Sequence, residues 1–357
     1  MRLSASRVSQ SGQVNDLETG KLPPKLLEHL LSDLGPVDPR VLVGPGLGED
    51  CAVVDMGDRV LIAKSDPITF AADNVGWYVV QVNANDVACT GGVPRWFLPT
   101  VLLPTSSTND DLRSIFGDIS RACRQIGVSI IGGHTEVTDG LPRPIVAGTM
   151  LGELEDRSRL VSTSGAQDGD SIIVTSGVAI EGSAILAREH EAALLARGLG
   201  SSALETAANY LADPGISVLP AARALFESGA VHSMHDVTEG GLITALREIA
   251  AASNLGLVAE AESVPLLPEC AAICDALELD PLGLLGSGAL IATMSAGDVP
   301  TALRSLDRAG VSGWEIGQMM EPSDGLWLID RNGERALPEF RRDELARYLE
   351  ENAQLPR

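Results

Sequence analysis

Apolar positions recur along the chain with two periods, and the changes of period mark out its elements. Residues 1 to 20 hold neither period; they are polar and unpatterned and read as an arm. A helix is predicted from about Pro23-Pro24, with Leu26, Leu27, Leu30 and Leu31 forming one stripe and proline in the first turn, where its missing N–H costs nothing. The arm and helix together span 1 to 37. From Val41 the pattern shortens to β-like runs broken by glycine: Ala52-Val53-Val54, Val60 to Ala63, Val128 to Ile131 and Ile145 to Met150. Helices are predicted between them, around 74 to 90 and 110 to 126. The alternation predicts a strand-rich α/β domain over 38 to 155.

The segment Glu153 to Asp170 is polar, with Gly165, Gly169 and several serines, and predicts a domain boundary. A second α/β domain, 165 to 331, then opens on Ser171-Ile172-Ile173-Val174. It continues through helices at about 181 to 197, 203 to 211, 219 to 228 and 241 to 253, with strand-like runs at Ala289 to Thr293 and Trp327 to Ile329. Residues 332 to 357 close the chain, with a charged helix predicted over 338 to 352. No repeat at a period of 20 to 50 residues is visible.

Composition narrows the class. A chain of 357 residues with 45% hydrophobic content exceeds the usual single core, which agrees with two domains. The formal net charge of −23 repels phosphate backbones and anionic lipid, so neither nucleic acid nor membrane is expected as a partner. Aromatic residues make up 3%, too few for base-stacking platforms. The five cysteines are scattered through apolar or helical surroundings, which suits a reducing compartment, and no signal-like or spanning apolar run is read; a cytoplasmic location is expected.

Against this background several carboxylates stand where apolar residues would be expected: Asp50 in Gly48-Glu49-Asp50, Asp66, Asp86 after Asn85, and Glu136 in Gly132-Gly133-His134-Thr135-Glu136. A buried carboxylate must be neutralised, paired or bound to a cation, and only three lysines exist, Lys21, Lys25 and Lys64. Hard divalent cations that carry nucleotide phosphates are the natural alternative. On the helix predicted over 75 to 90, Val75, Val79, Val82, Asp86 and Cys89 share one face, so Asp86 lies within an apolar stripe, either as a metal ligand or paired to an arginine. Asp66 precedes Pro67 after an apolar strand and is expected at that strand's carboxyl end, with Lys64 on the same side as a phosphate partner; an Asp-Pro pair is equally an ordinary turn.

Ile130-Ile131 runs into Gly132-Gly133, where backbone amides can approach a ligand and His134 can bond a phosphate or substrate. In the second half, His235-Asp236 and Gly240-Gly241 lead into a helix whose N-terminal amides make a local anion site, with Asp236 placed to orient a donor or a metal. Cys270 and Cys274, four apart on a helix, read as core. No nucleophile elbow is present.

Taken in order, Gly48-Glu49-Asp50-Cys51-Ala52-Val53-Val54, Asp66-Pro67, Asn85-Asp86-Val87-Ala88-Cys89-Thr90-Gly91-Gly92-Val93-Pro94, Gly132-Gly133-His134-Thr135 and His235-Asp236-Val237-Thr238-Glu239-Gly240-Gly241-Leu242 resemble the aminoimidazole ribonucleotide (AIR) synthase superfamily over about 38 to 330. Within it, the Gly-Gly-x-Thr-Glu-Val and His-Asp-x-Thr-x-Gly-Gly-Leu runs are most similar to the hydrogenase maturation factor group HypE. The resemblance implies a two-domain α/β (α+β) fold. Its strand-rich N-terminal domain forms a β-barrel shared in a homodimer, an α/β domain follows, and Mg-ATP lies between them. It implies Asp50, Asp66 and Asp86 as metal ligands for Mg2+. ATP contacts would come from Lys64, Asn85, Gly132, Gly133, Thr135, His235, Gly240 and Gly241, and catalytic groups from His134, Glu136 and Asp236. Asn83 is a further neighbour.

The activity implied is ATP-dependent activation of an amide or carbonyl oxygen, which turns a poor leaving group into departing phosphate by positioning and electrostatics. The acceptor would be a small molecule or protein-carried, with a maturation protein as partner. Two departures stand out. HypE proteins end in Pro-Arg-Ile-Cys and carry their carboxamide on that cysteine, whereas this chain ends Pro356-Arg357. His134 stands where HypE and the thiamine-phosphate kinases have aspartate and selenophosphate synthetases have histidine; Glu136 or Asp139 would then substitute as a ligand. Two other readings remain open: a small-molecule kinase like thiamine-monophosphate kinase, and a nucleotide-binding assembly protein without turnover.

Overall fold

The computed structural model describes residues 20–35, 37–71 and 73–352, which build two seven-stranded sheets. The first half comprises α1 (Pro24–Ser32), β1 (Val41–Val43), β2 (Ala52–Asp55), β3 (Val60–Ile68), α2 (Val75–Cys89), β4 (Val93–Leu103), α3 (Asn109–Ile126), β5 (Ser129–Ile130), β6 (His134–Val137) and β7 (Ile145–Leu154). Its sheet runs β1-β2-β3-β7-β4-β5, with β6 following β5 along the same side of β4. The second half comprises β8 (Ser171–Thr175), α4 (Ile180–Glu189), α5 (Glu191–Ala196), α6 (Ser201–Ala208), α7 (Leu219–Ser228), β9 (Val231–Asp236), α8 (Gly241–Ser253), β10 (Gly256–Glu260), α9 (Pro268–Leu277), β11 (Leu290–Met294), α10 (Val299–Arg308), β12 (Gly313–Met320), β13 (Leu326–Asp330), β14 (Gly333–Ala336) and α11 (Glu344–Glu351). Its order is β14-β13-β10-β12-β8-β11-β9, so β9 is an edge strand.

Helix α2 joins the halves. It packs on β3 and β7 of one sheet, on β9 of the other, and between α3 and α7. Of its 15 residues all but Trp77 are buried, so the single stripe expected from the sequence is in fact a helix covered on every side. A close approach makes this possible: a Cβ at Gly148 of β7 would stand 2.7 Å from Asn83 Nδ2 and 2.7 Å from the Phe97 ring, so only glycine lets helix and strand meet there.

Several elements differ from the sequence expectation for identifiable reasons. β4, the longest strand, is not predicted, because it contains Pro94 and Pro99. Pro94 sits at a bulge. Pro99 faces the break between β5 and β6, where no ladder bond is lost. β3 runs on to Ile68, so Asp66 lies inside the strand and pairs with Gly148 rather than ending it. The helix expected over 181 to 197 breaks at His190, whose ring packs edge-on to Tyr348. The terminal helix starts only at Glu344, capped by Asp343. The stripe of α1 is uncovered, with Leu30 49% exposed. Among the described residues no helix is long and apolar enough to cross a membrane.

Candidate functional site

Where α2 passes between the sheets, four aspartates converge from four segments. Asp50 ends the glycine loop before β2, Asp66 comes from β3, Asp86 from the buried face of α2, and Asp236 from the end of β9. Lys64, two residues before Asp66 and therefore on its side of β3, lies among them. Its Nζ is 3.2 Å from Asp86 Oδ2, 3.2 Å from Asp66 Oδ2 and 3.9 Å from Asp50 Oδ1. Burial works against its ammonium, but Asp86, Asp50 and Asp66 outweigh that and push its pKa well up.

His235, also from β9, is fully buried with a carboxylate at each ring nitrogen. Nδ1 is 2.5 Å from Asp50 Oδ2 and Nε2 is 3.0 Å from Glu248 Oε2. Both nitrogens must donate, so the ring is an imidazolium. Burial opposes the charge, yet Asp50 and Glu248 raise the pKa well above the usual histidine value. In return, burial would lift Asp50, but His235, Lys64 and Lys21 hold it well below the usual carboxylate range. Lys21 Nζ reaches Glu248 Oε1 at 2.8 Å and its N–H donates to Glu239. A continuous row of alternating charge thus runs Asp66, Lys64, Asp50, His235, Glu248, Lys21.

The row itself pairs three carboxylates with three cations, but Asp86 and Asp236 stand beside it and add two more carboxylates. The deficit falls on Asp86 and Asp236. Burial first, then Asp236, drives the Asp86 carboxyl well up despite Lys64. Burial, then Asp50, lifts Asp236 to about 6. Among the described residues both oxygens of Asp236 are buried without a donor, Oδ2 of Asp86 has only the Lys64 ammonium near it, and Asp50, His235 and Asp236 each bring a ligand atom within 4.8 Å of the others. A void of about 10 Å3, roughly one water in size, adjoins Asp50 and Asp86. Buried oxygens without donors are what a hard cation takes up. The residues therefore fit Mg2+ held by Asp50, Asp86 and Asp236, while both nitrogens of His235 are already committed.

Other sequence-predicted residues lie differently. Asn85 does not face the site: its Nδ2 donates to Ile216 O at 2.8 Å and its Oδ1 accepts from Val218 N–H at 2.9 Å, tying α2 to the loop before α7. Asn83 instead holds Asp66, accepting from its N–H at 2.8 Å and donating to its carbonyl at 3.1 Å. The anion site expected at Gly240-Gly241 is taken by the chain itself. Gly240 N–H donates to Asp343 Oδ2 at 2.6 Å, and burial pushes that carboxyl up to about 7 although amide donors oppose it.

Gly132, Gly133, His134, Thr135 and Glu136 are exposed at the β5–β6 edge, with β7 and β4 between them and β3, about 14 Å at ordinary strand spacing. There His134 contacts Glu136 at 3.2 Å and Thr138 donates to Glu136 at 2.8 Å. Within one chain they do not meet the aspartates. Lys21 and Glu248 belong to the site but are not foreseen. Glu248 reads as a surface charge on a helix, and only the scarcity of lysine marked Lys21. The tail difference at Pro356-Arg357 lies outside the described residues.

Comparison with known proteins agrees with this geometry. Residues 48–154 match the family described as AIR synthase related protein, N-terminal domain, and residues 167–326 match AIR synthase related protein, C-terminal domain. A hydrogenase expression/formation protein of Methanocaldococcus jannaschii is 28% identical over 292 residues, covering 79% of this chain and 83% of that protein. Carbamoyl dehydratase HypE of Cupriavidus necator is 29% identical over 283 residues, 77% of each. The crystal structure of hydrogenase maturation protein HypE in complex with ATP superposes with a TM-score of 0.67 at 24% identity, over 89% of this chain and 91% of that one. The two-domain AIR-synthase-like fold read from the sequence is borne out.

Proposed function

The chain belongs to the AIR synthase related family, and on that premise we propose that it is an ATP-dependent, Mg2+-requiring enzyme of HypE type, activating an amide- or carbonyl-type oxygen by phosphoryl transfer in metalloenzyme maturation. The observation that carries the reading is the unbalanced buried charge: Asp236 presents two oxygens without donors beside Asp86, whose Oδ2 has only Lys64 near it. Bound there, Mg2+ would neutralise phosphate charge and align the transferred group. Lys64 would exchange part of its contact with the aspartates for a phosphate oxygen, acting as a point charge. His235, fixed between Asp50 and Glu248, holds Asp50 in its ionised form and oriented toward the cation. Asn83 fixes the backbone of Asp66. The acceptor oxygen would attack the γ-phosphorus as its bond to ADP breaks, and phosphate would later depart as the amide nitrogen, losing its protons, forms a triple bond to the carbon.

The uncovered β5–β6 edge, with Ile130, Ile131 and Val137 exposed, supports a homodimer through a shared barrel. In it the glycine run and His134, Thr135 and Glu136 of one copy would serve the site of the other, and a maturation protein would present the acceptor.

Calorimetric titration with a non-hydrolysable ATP analogue and Mg2+ tests the reading. Metal-dependent binding that weakens at least about tenfold in Asp86→Asn, a loss of about 1.4 kcal/mol or more, is expected. A carboxamide acceptor should then stimulate ADP release with no lasting phosphorylated product. Accumulation of a phosphorylated acceptor would support the small-molecule kinase instead, and no nucleotide binding by the folded protein would sink both.

A further inference from the structure

A second, larger cavity lies on the opposite side of α2 from the aspartates. Its volume is about 1230 Å3, and its walls come from both halves of the chain. Trp77, Gln81 and Ala88 of α2 line it, and Gln81 is turned about 140° around the helix from Asp86 at 100° per residue. It is therefore not an extension of the aspartate site.

Its charge reverses that of the molecule. The chain carries 49 acidic residues against 26 basic ones, yet this cavity is lined by Arg95, Arg121, Arg159, Arg188 and Arg223 and by one acid, Glu227. Three of the five are engaged: Arg121 with Asp118, Arg188 with Asp73, and Arg223 with Glu227. The other two are open to a ligand. Arg95 approaches Glu153 only through Nε at 3.7 Å, and Glu153 is already held by Arg59 at 2.8 Å. Among the described residues Arg159 has no carboxylate within ion-pair distance, only Asp156 near enough to feel its charge; its Nη2 donates to Phe226 O at 2.8 Å, and its guanidinium stacks 4.1 Å over the Phe226 ring. That ring in turn lies on Gly91, where a Cβ would meet it at 2.3 Å, so the glycine that follows α2 also seats the stacked arginine. Gln81, 1% exposed, has a side-chain oxygen with no hydrogen-bond partner and lines the same cavity.

We propose that this cleft is a metal-independent binding site for a compact small-molecule polyanion, carrying phosphate or carboxylate groups, gripped by Arg95 and Arg159 with a donor group toward Gln81. Guanidinium forks suit planar or tetrahedral anions, and the Phe226 ring holds that of Arg159 in place. At about 1230 Å3 the cleft exceeds the roughly 300–1000 Å3 of ordinary small-ligand pockets, so a compact polyanion would fill only its arginine-lined part.

Equilibrium dialysis in EDTA tests the site on the full chain with three probes: pyrophosphate, citrate and a poly-glutamate peptide. Saturable binding of pyrophosphate or citrate is expected, with the stronger of the two identifying the anion type. It should persist in Asp86→Asn, weaken at least about tenfold in Arg159→Gln and in Arg95→Gln, as loss of a charge-assisted pair implies, and fall as salt is raised. Because Arg159 also supports Phe226, Arg95→Gln, which breaks no short pair, carries the test if Arg159→Gln unfolds. No metal-free binding, equal binding in Arg95→Gln, loss in Asp86→Asn, or preference for the peptide would each overturn the assignment.

Discussion

Replacing Lys64 by methionine would remove the one ammonium that three aspartates share, and the structure fixes the sign and scale of the result. At an effective dielectric of about 20, the 3.2 Å contact with Asp86 is worth about 5 kcal/mol and the 3.9 Å contact with Asp50 about 4 kcal/mol. The 3.2 Å contact with Asp66 counts for little, because that carboxylate is 38% exposed and screened. Against this stand the desolvation of the ammonium, several kcal/mol, and the readiness of Asp86 to take up a proton once its partner is gone, so that the net loss is about 3–5 kcal/mol. Urea unfolding in EDTA measures it without adding salt. Mg2+ should then stabilise the variant more than the parent, since its site is more negative; at a hundredfold excess over its own dissociation constant the variant gains about 2.7 kcal/mol. A variant within about 1 kcal/mol of the parent in EDTA, or one that Mg2+ stabilises no more than the parent, would refute the account of Lys64 as a stand-in cation.

Other perturbations separate support from chemistry. Asn85→Ala leaves Ile216 O and Val218 N–H buried without their partner and should lower stability by about 2–4 kcal/mol, while calorimetry with the ATP analogue finds nucleotide affinity intact. Gly148→Ala drives a methyl into Asn83 and Phe97; a loss of about 1–3 kcal/mol should come with weaker nucleotide binding, because Asn83 holds Asp66. Asp343, pushed up to about 7 mainly by burial, titrates near 3.9 when unfolded. The stability it contributes is full below about pH 4 and is lost as pH rises toward 7. Asp343→Asn keeps an acceptor for Gly240 N–H without the charge, so urea midpoints should fall less between pH 5 and pH 8 in the variant, and parallel curves would count against this reading.

The sequence made the aspartates legible because a carboxylate inside an apolar stripe has few explanations, and Asp86 at the spacing of Val75, Val79 and Val82 is such a case. Helices with a strong period, such as those at 219 to 228 and 241 to 253, stand where the pattern put them. β4 was hidden because its prolines are tolerated only by a bulge and by a gap in the neighbouring strand, neither of which a single strand's pattern records. The glycine run at 132–133 was readable as an approach site but not as lying across two strands from Asp66, since sheet order is a long-range property. Asn83 and Asn85 look alike in the sequence. Two positions along a helix, about 200° of rotation, send one to Asp66 and the other to the loop before α7.

The row of charges also bears on the order in which the chain can assemble. Two of its links join residues remote in sequence: 185 positions separate Asp50 from His235 and 227 separate Lys21 from Glu248. Contacts of such span reward the chain only after both halves have taken shape, so they close late and contribute little to early nucleation. Until then a folded first half carries Asp50, Asp66 and Asp86 against Lys64 and Lys21. This surplus of like charge keeps the unfinished surface hydrated and discourages premature association. The feature that invites a cation in the finished protein thus also keeps the nascent one apart from its neighbours.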